Sequence, residues 1–321
     1  MEILQIEPAQ ARGKLKESMW NSSQYVGEIK YDGSRALMHC GIGGNRFTSR
    51  HISKKTNLFT EKTENFPHLK NIFVDNNLDG DFSGTIFDGE LVFGSNSMDV
   101  TKITGALPSR AIEFQRQNGW LNYVIFDVLM NKGQDIRDKP WSYRRAVLEG
   151  YFEDLDLNHV SITEIVKGDK KSLYEEVLES GGEGIILKDT TAPYGKKTGW
   201  VKAKRSATWD VVVTNFKDAK EMTTKVDGTE SISKFAELGW VGAVEFGQYF
   251  SGKLISFGYC SGMSDALRED MSNNKEKYIG TVIEITAQER IPKTGRFRHP
   301  RIKNLRPDKK ATDCIYNPNE S

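Results

Sequence analysis

The strongest limit on the architecture is a change of grammar near residue 205. Before it, apolar β-rich runs alternate with helical patterns; after Trp209 only short strand patterns remain, separated by turns. A chain of 321 residues also exceeds the usual reach of one hydrophobic core. Two domains are expected, residues 1–205 and 206–321. The first reads as α+β, mixed and largely antiparallel, and the second, with four or five short strands, as a small β-barrel.

Within the first part, QYVGEIK, the turn YDGS, RALMHC, the turn GIGGN and RFTS read as a β-meander over residues 24–49. Further strands are expected at 85–94, 122–130, 183–189 and 199–204. Helices are expected in DKPWSYRRAVLEGYFEDL, where Pro140 suits a first turn, and in SLYEEVLESGG, where Ser172 and Glu175 have capping-box spacing and Gly181 is the stop. The polar stretch 217–239 is too long for a tight hairpin and reads as a loop or insertion.

Several classes of protein are disfavoured. No run of eighteen apolar residues spans a bilayer and the opening resembles no signal peptide, so the chain reads as cytoplasmic, with no membrane partner. Cys40, Cys260 and Cys314 are scattered and lack any C-x-x-C pair, so ordinary reduced thiols are expected. No G-x-x-x-x-G-K-[ST], complete G-x-G-x-x-G or H-E-x-x-H is present.

The formal net charge is only +1, yet residues 290–310 hold nine cations against the single Asp308, a local net charge of +8 over twenty-one residues. Ile291, Phe297, Ile302 and Leu305 interrupt the run, which suits an ordered basic surface better than a tail.

One short motif, GEIKYDGSR, places Lys30, Asp32, Gly33 and Arg35 where a strand enters a turn; alone, K-x-D-G is weak. Five further stations follow in order: FDGELV with Glu90, YVIFDV with Phe126 and Asp127, EGIILK with Glu183 and Lys188, WVKAK with Lys202 and Lys204, and LRPDK with Arg306, Asp308 and Lys309. Together they resemble the covalent nucleotidyltransferase superfamily of ATP-dependent DNA ligases, RNA ligases and mRNA capping enzymes. GEIKYDGSR, FRHPRIKNLRPDK and RRAVL at 144–148 are similar to small ATP-dependent DNA ligases of viral or bacterial type.

The resemblance implies a nucleotidyltransferase (ATP-grasp-like) domain followed by an OB-fold. It implies ATP and Mg²⁺ as cofactors, nicked duplex DNA as partner, and a monomer. Lys30 becomes the carrier of AMP, which requires an unprotonated amine although a free lysine titrates near 10.4. Nearby cations, Lys202 and Lys204, are expected to favour that state and to face the phosphate oxygens. Glu90 and Glu183 become metal ligands, with Asp32 supporting the metal or the reacting 3′-hydroxyl. Glu28, Arg35, Arg50 and Phe126 join the nucleotide site, Phe126 by stacking on the purine, though a core residue in an apolar strand reads equally well there. Arg35 is also expected on the nick's 5′-phosphate, with Arg296, Arg298, Arg301 and Lys303 on DNA. Arg306 and Lys309 are expected to reach the β- and γ-phosphates, and 217–239 could serve as a latch on the duplex. A GTP-using capping-type enzyme, an RNA ligase and a non-catalytic OB-fold binder remain the alternatives.

Overall fold

The computed structural model describes residues 3–94, 97–195, 198–204, 207–224, 230–291 and 294–318. The chain forms two compact units, Met1–Lys204 and Arg205–Ser321.

In the first unit the strands are β1 (Tyr25–Ile29), β2 (Ser34–His39), β3 (Arg46–Ile52), β4 (Phe59–Glu61), β5 (Ile86–Val92), β6 (Asn122–Asn131), β7 (Gln134–Asp135), β8 (Val160–Ile162), β9 (Ile165–Val166), β10 (Gly184–Asp189) and β11 (Val201–Lys204). They build two sheets. One runs β11-β10-β1-β9 and is antiparallel throughout; the other runs β4-β3-β2-β5-β6-β7, with β8 joining β6 in parallel. Six helices accompany them among the described residues: α1 (Pro67–Asp75), α2 (Asp79–Phe82), α3 (Ser97–Thr104), α4 (Pro108–Asn118), α5 (Trp141–Phe152) and α6 (Lys170–Glu179).

This topology corrects the expected meander. β1 and β2 are consecutive but do not pair: β1 lies between β10 and β9, and β2 between β3 and β5. Residues 30–33 therefore carry the chain from one sheet to the other. An Asp-Gly between two strand patterns signals a change of direction, not which neighbour each strand will take. Gly33 is needed for space: its φ is not positive, but a Cβ there would lie 2.2 Å from the Leu91 carbonyl oxygen and 2.8 Å from Glu90 Cγ.

Period-two alternation then sorts the side chains of the four-stranded sheet. Ile185, Leu187, Val201 and Ala203 turn to a core with Trp20 and Val177. Their alternates, Glu28, Lys30, Ile186, Lys188, Lys202 and Lys204, share the opposite face, because Glu28 pairs with Ile186 and Ile186 with Lys202. In the larger sheet, Met38, Phe47, Phe87, Tyr123 and Ile125 build the main core. Arg35, Asp88 and Glu90 fall on the other side, since Arg35 pairs with Glu90 and Leu37 with Asp88.

Pro140 sits at the N-cap of α5. The capping box expected at Ser172 is displaced: α6 starts three residues earlier, and Asp169 caps it by accepting from the Ser172 amide at 2.9 Å. Asp-x-x-Ser competes with Ser-x-x-Glu for the same role, and the carboxylate also complements the positive end of the helix. Gly181, at φ +85°, ends it as expected.

The second unit contains β12 (Ala207–Asp218), β13 (Met222–Thr224), β14 (Glu230–Ile232), β15 (Val241–Phe250), β16 (Lys253–Cys260), β17 (Val282–Ala287) and β18 (Arg301–Leu305), with helices α7 (Lys234–Glu237), α8 (Asp265–Asn273) and α9 (Lys275–Tyr278). Five strands form one antiparallel sheet, ordered β16-β15-β12-β17-β18. Its edges meet where Ser261 bridges Arg301 in parallel and the Ile302 amide donates to the Ser261 carbonyl at 2.8 Å, closing the sheet at that corner. Val211, Val213, Val244, Phe246, Ile283 and Ile285 fill the interior, with Met271 and Tyr278 contributed by α8 and α9. The 217–239 stretch holds the β13–β14 ribbon and α7; residues 225–229 lie outside the described residues.

No helix among the described residues is long and apolar enough to cross a membrane. Cys40, Cys260 and Cys314 are free and buried.

Candidate active site

The crossover brings the motif residues together where the two sheets of the first unit adjoin. Lys30 leaves β1 with its amide held by the Gly184 carbonyl at 2.9 Å, and its ammonium donates to Glu183, which stands just before β10. Lys204 approaches the other oxygen of Glu183 at 3.8 Å. Lys202 is exposed overall, yet desolvation of its amine, followed by repulsion from Lys30 and Lys204, lowers its pKa. Three lysines thus converge around one carboxylate. The exposed Arg50 on β3 also belongs here, since its charge acts on both Lys202 and Glu90.

Glu90, half-buried on β5, is pushed up to about 7 because burial outweighs the attraction of Arg35 and Lys30. Asp32 is half-buried in the crossover itself.

Beneath these groups lies a buried ion pair. Lys188 meets Glu28 at 2.7 Å with both side chains about 2–3% exposed, and also donates to the Phe126 carbonyl at 2.9 Å. Burial raises Glu28 and lowers Lys188, while their contact opposes both shifts. Glu28 Oε1 has no hydrogen-bond partner, an orphan acceptor in a buried position.

Phe126 owes its place to a bulge. Asp88 pairs with Asp127 and Gly89 with Ile125, so Phe126 is left unpaired in β6. A bulge re-aims side chains and breaks the alternation of the strand. The half-buried ring lies 5.2 Å from the Arg35 guanidinium and 4.8 Å from the Lys188 ammonium, edge-on to Trp200 at 5.9 Å. The core alternative for Phe126 is thereby only half met.

Arg35 takes partners other than the phosphate expected for it. Its Nε donates to Asp88 at 2.8 Å, a second nitrogen reaches the other Asp88 oxygen, and a third donates to the Ala9 carbonyl. Tyr194 donates to the same Asp88 and accepts from the Ala9 amide at 3.0 Å. Its charge is spent inside the unit because Asp88, diagonal to it across β2 and β5, has no water to turn to. Behind Phe126, Asp127 forms a second buried fork with Arg144 at 2.7 and 2.9 Å.

Glu90, Glu183 and Asp32 do not form a ready-made cage. Among the described residues no group of three or more His, Cys, Asp or Glu side chains gathers to hold a metal, and Glu183 is drawn instead to Lys30 and Lys204. Asp88, Ile186, Tyr194 and Trp200 were absent from the expected site. The period-two offset from Glu90 and from Lys188 and Lys202 is the signal that marks Asp88, Ile186 and Trp200; Tyr194 carries no such mark.

In the second unit the basic run is less free than its charge suggests. Arg290 is 5% exposed, donating to Gln248 at 2.6 Å and to the Gly295 carbonyl, between the rings of Phe257, Phe297 and Tyr316. It is an internal strut, not surface charge. Arg298 meets Glu289 at 3.2 Å and Lys303 meets Glu284 at 3.1 Å; Arg296 and Arg301 are exposed. Pro292 and Lys293 lie outside the described residues. Arg306 is gripped by Asp308 and Asp210, with Lys309 3.9 Å from Asp210.

A family model described as the ATP dependent DNA ligase domain matches residues 9–204, the unit that carries this cluster, and the chain belongs to that family. Among curated proteins it is 27% identical over 221 residues to the SPbeta prophage-derived DNA ligase-like protein LigB of Bacillus subtilis (strain 168), a match covering 66% of this chain and 73% of that protein. It is 26% identical over 286 residues to a DNA ligase of Methanothermobacter thermautotrophicus, covering 84% of this chain but only 46% of the relative. A solved structure from a structure–function study of Lig E DNA ligases, concerned with DNA binding by a minimal scaffold, has a TM-score of 0.63 at 16% identity, covering 94% of this chain and all of that one. Another, described as Pmar-Lig_PreS3, also gives 0.63 at 20% identity, covering 90% and 65%. At such identities the likeness is one of fold.

Proposed function

We infer that this chain is an ATP-dependent DNA ligase that seals 3′-hydroxyl/5′-phosphate nicks in duplex DNA through an adenylate on Lys30. The observation that carries the reading is the convergence of Lys30, Lys202 and Lys204 on Glu183 at a sheet crossover, in a chain of the ligase family. In the first step the Lys30 amine forms a bond to the α-phosphorus of ATP, and pyrophosphate leaves with the electrons of the broken P–O bond. Glu183, already bonded to Lys30, is placed to hold the proton that departs. Lys202, Lys204 and Arg50 set positive charge against the phosphate oxygens. AMP then passes to the 5′-phosphate of the nick, and the 3′-hydroxyl displaces it.

Phe126 and Ile186 offer apolar surfaces for the purine, and the orphan Glu28 Oε1 an acceptor for a polar group on it. Glu90 and Glu183 are the hard oxygen donors that would hold a Mg²⁺, which would supply charge neutralisation at the phosphates. Arg35 we assign to the wall of this pocket in place of the nick phosphate. The strand order of the second unit, its parallel closing bridge and the helices between β16 and β17 support an OB-fold, and its exposed Arg296 and Arg301 suit a DNA backbone. Arg306 and Lys309 serve as phosphate ligands.

Incubation with α-labelled ATP or GTP, followed by a nicked duplex, tests the reading. Label from ATP is expected on the protein and then on DNA, and Lys30→Ala should abolish the first product while still sealing a pre-adenylated nick. Labelling by GTP alone would favour the capping-type alternative and overturn ours.

A further inference from the structure

Arg306 spends its whole guanidinium on two carboxylates. Asp308 takes the Nε and Nη2 edge at 2.9 and 2.8 Å, and Asp210 takes Nη1 at 3.0 and 3.4 Å. Asp210 also lies 3.9 Å from the Lys309 ammonium. The two acids differ in kind. Asp308 is two residues from Arg306 on the same segment, whereas Asp210 belongs to β12 and reaches Arg306 from a different part of the sheet.

Asp210 stands in register with Glu284 on β17. Carboxylates directly opposite on neighbouring strands repel, so this placement costs stability unless cations lie between them. Those cations are the basic run: Lys303 meets Glu284 at 3.1 Å, and Arg306 and Lys309 meet Asp210. The Arg306–Asp210 pair taken singly is a modest brace, since each side chain is 26% exposed and water screens part of its attraction. As a seat for an anion it is well formed, because a phosphate offers the same oxygen geometry with more charge.

We propose that Asp210 is a built-in competitor: its carboxylate occupies the position that Arg306 and Lys309 offer to a phosphate oxygen, and its displacement sets how tightly that phosphate is held. Asp210 is thus a positioning residue acting through Arg306 and Lys309, and this rests on their assignment as phosphate ligands above. The shared chemistry is a phosphate oxyanion, whether of a nucleotide's polyphosphate or of the DNA backbone. Departure of the two cations would also restore the repulsion between Asp210 and Glu284, which favours their return once the phosphate leaves.

The test is Asp210→Asn in the full chain, which keeps the shape and removes the charge. Inorganic pyrophosphate is titrated by calorimetry and a nicked duplex by fluorescence anisotropy. Glu269→Gln, an exposed position on α8, makes the same charge change elsewhere. At least one dissociation constant should fall by about three- to fivefold in Asp210→Asn, the scale of one partly exposed ion pair, with no such fall in the control. A response to pyrophosphate assigns the seat to the nucleotide, and a response to duplex assigns it to DNA. Both constants unchanged, both raised as a merely structural role would give, or equal falls in the two variants would overturn the proposal. Labelling of the unaltered protein by ATP, measured alongside, reports on the ligase reading separately.

Discussion

Substituting Gly33 by alanine should disable adenylation without unfolding the protein. The new Cβ would lie 2.2 Å from the Leu91 carbonyl oxygen and 3.1 Å from its carbon. Restoring ordinary contact requires a retreat of about 1 Å. The neighbour to be moved is backbone of β5, held on one side by β2 and on the other by β6, so it cannot swing aside like a side chain. The strain falls on Glu90, whose Cγ is 2.8 Å from the added atom, and on the crossover that aims Lys30. Overpacking of this size costs about 1–3 kcal/mol of stability, and a misplacement of about 1 Å at reacting groups costs roughly a hundredfold in rate. Single-turnover labelling with α-labelled ATP, with thermal melts and far-UV dichroism as checks on the fold, measures both. Gly80→Ala provides the comparison, since nothing lies within 4 Å of its Cβ and its φ is not positive. A Gly33→Ala rate within about threefold of the unaltered protein would refute the reasoning, because the close approach would then carry no functional consequence.

Two further outcomes follow from the charges. Burial pushes Glu90 up to about 7, so its carboxyl stabilises the fold most below the ordinary carboxylate range, and this contribution is lost as pH rises through 7. Glu90→Gln should therefore melt higher than the unaltered protein at pH 8 and converge with it near pH 5; a difference that grows towards acid would contradict the assignment. Because Arg298 and Lys303 already hold Glu289 and Glu284, the exposed Arg296 and Arg301 should dominate DNA contact. Replacing both by alanine should reduce the slope of log affinity against log salt by about 2, read by anisotropy, and an unchanged slope would place the DNA surface elsewhere.

The chemistry of the site was more legible in the sequence than its construction. Lys30, Lys202, Lys204 and Glu183 were marked by motif, and the alternation of β1, β10 and β11 then delivers them to one face. Pairing was not legible: QYVGEIK and RALMHC are strands as expected, but the partners of β1 lie far along the chain, and an Asp-Gly signal cannot say so. Phe126 resisted assignment because the bulge at Asp88 and Gly89 breaks the very period used to separate core from site. The basic run misled at Arg290 because counting signs ignores burial; three aromatic rings from separate segments enclose it.

The crossover at residues 30–33 makes self-labelling a report on assembly. Lys30 and Arg35 are near neighbours in sequence, yet each reaches its partner only after its own sheet has formed: Glu183 for the first, Asp88 for the second. The four-stranded sheet supplies Lys30, Glu183, Lys202 and Lys204 and the larger sheet supplies Arg35, Arg50 and Glu90, so the whole site needs both, and β11, the last strand of the unit, brings Lys202 and Lys204. During synthesis Lys30, the proposed nucleophile, therefore emerges about 170 residues before Lys202 and Lys204, a delay set by chain order. A nascent or refolding chain should gain secondary structure well before it can accept a nucleotide, so covalent uptake of AMP would count only molecules in which both sheets are finished.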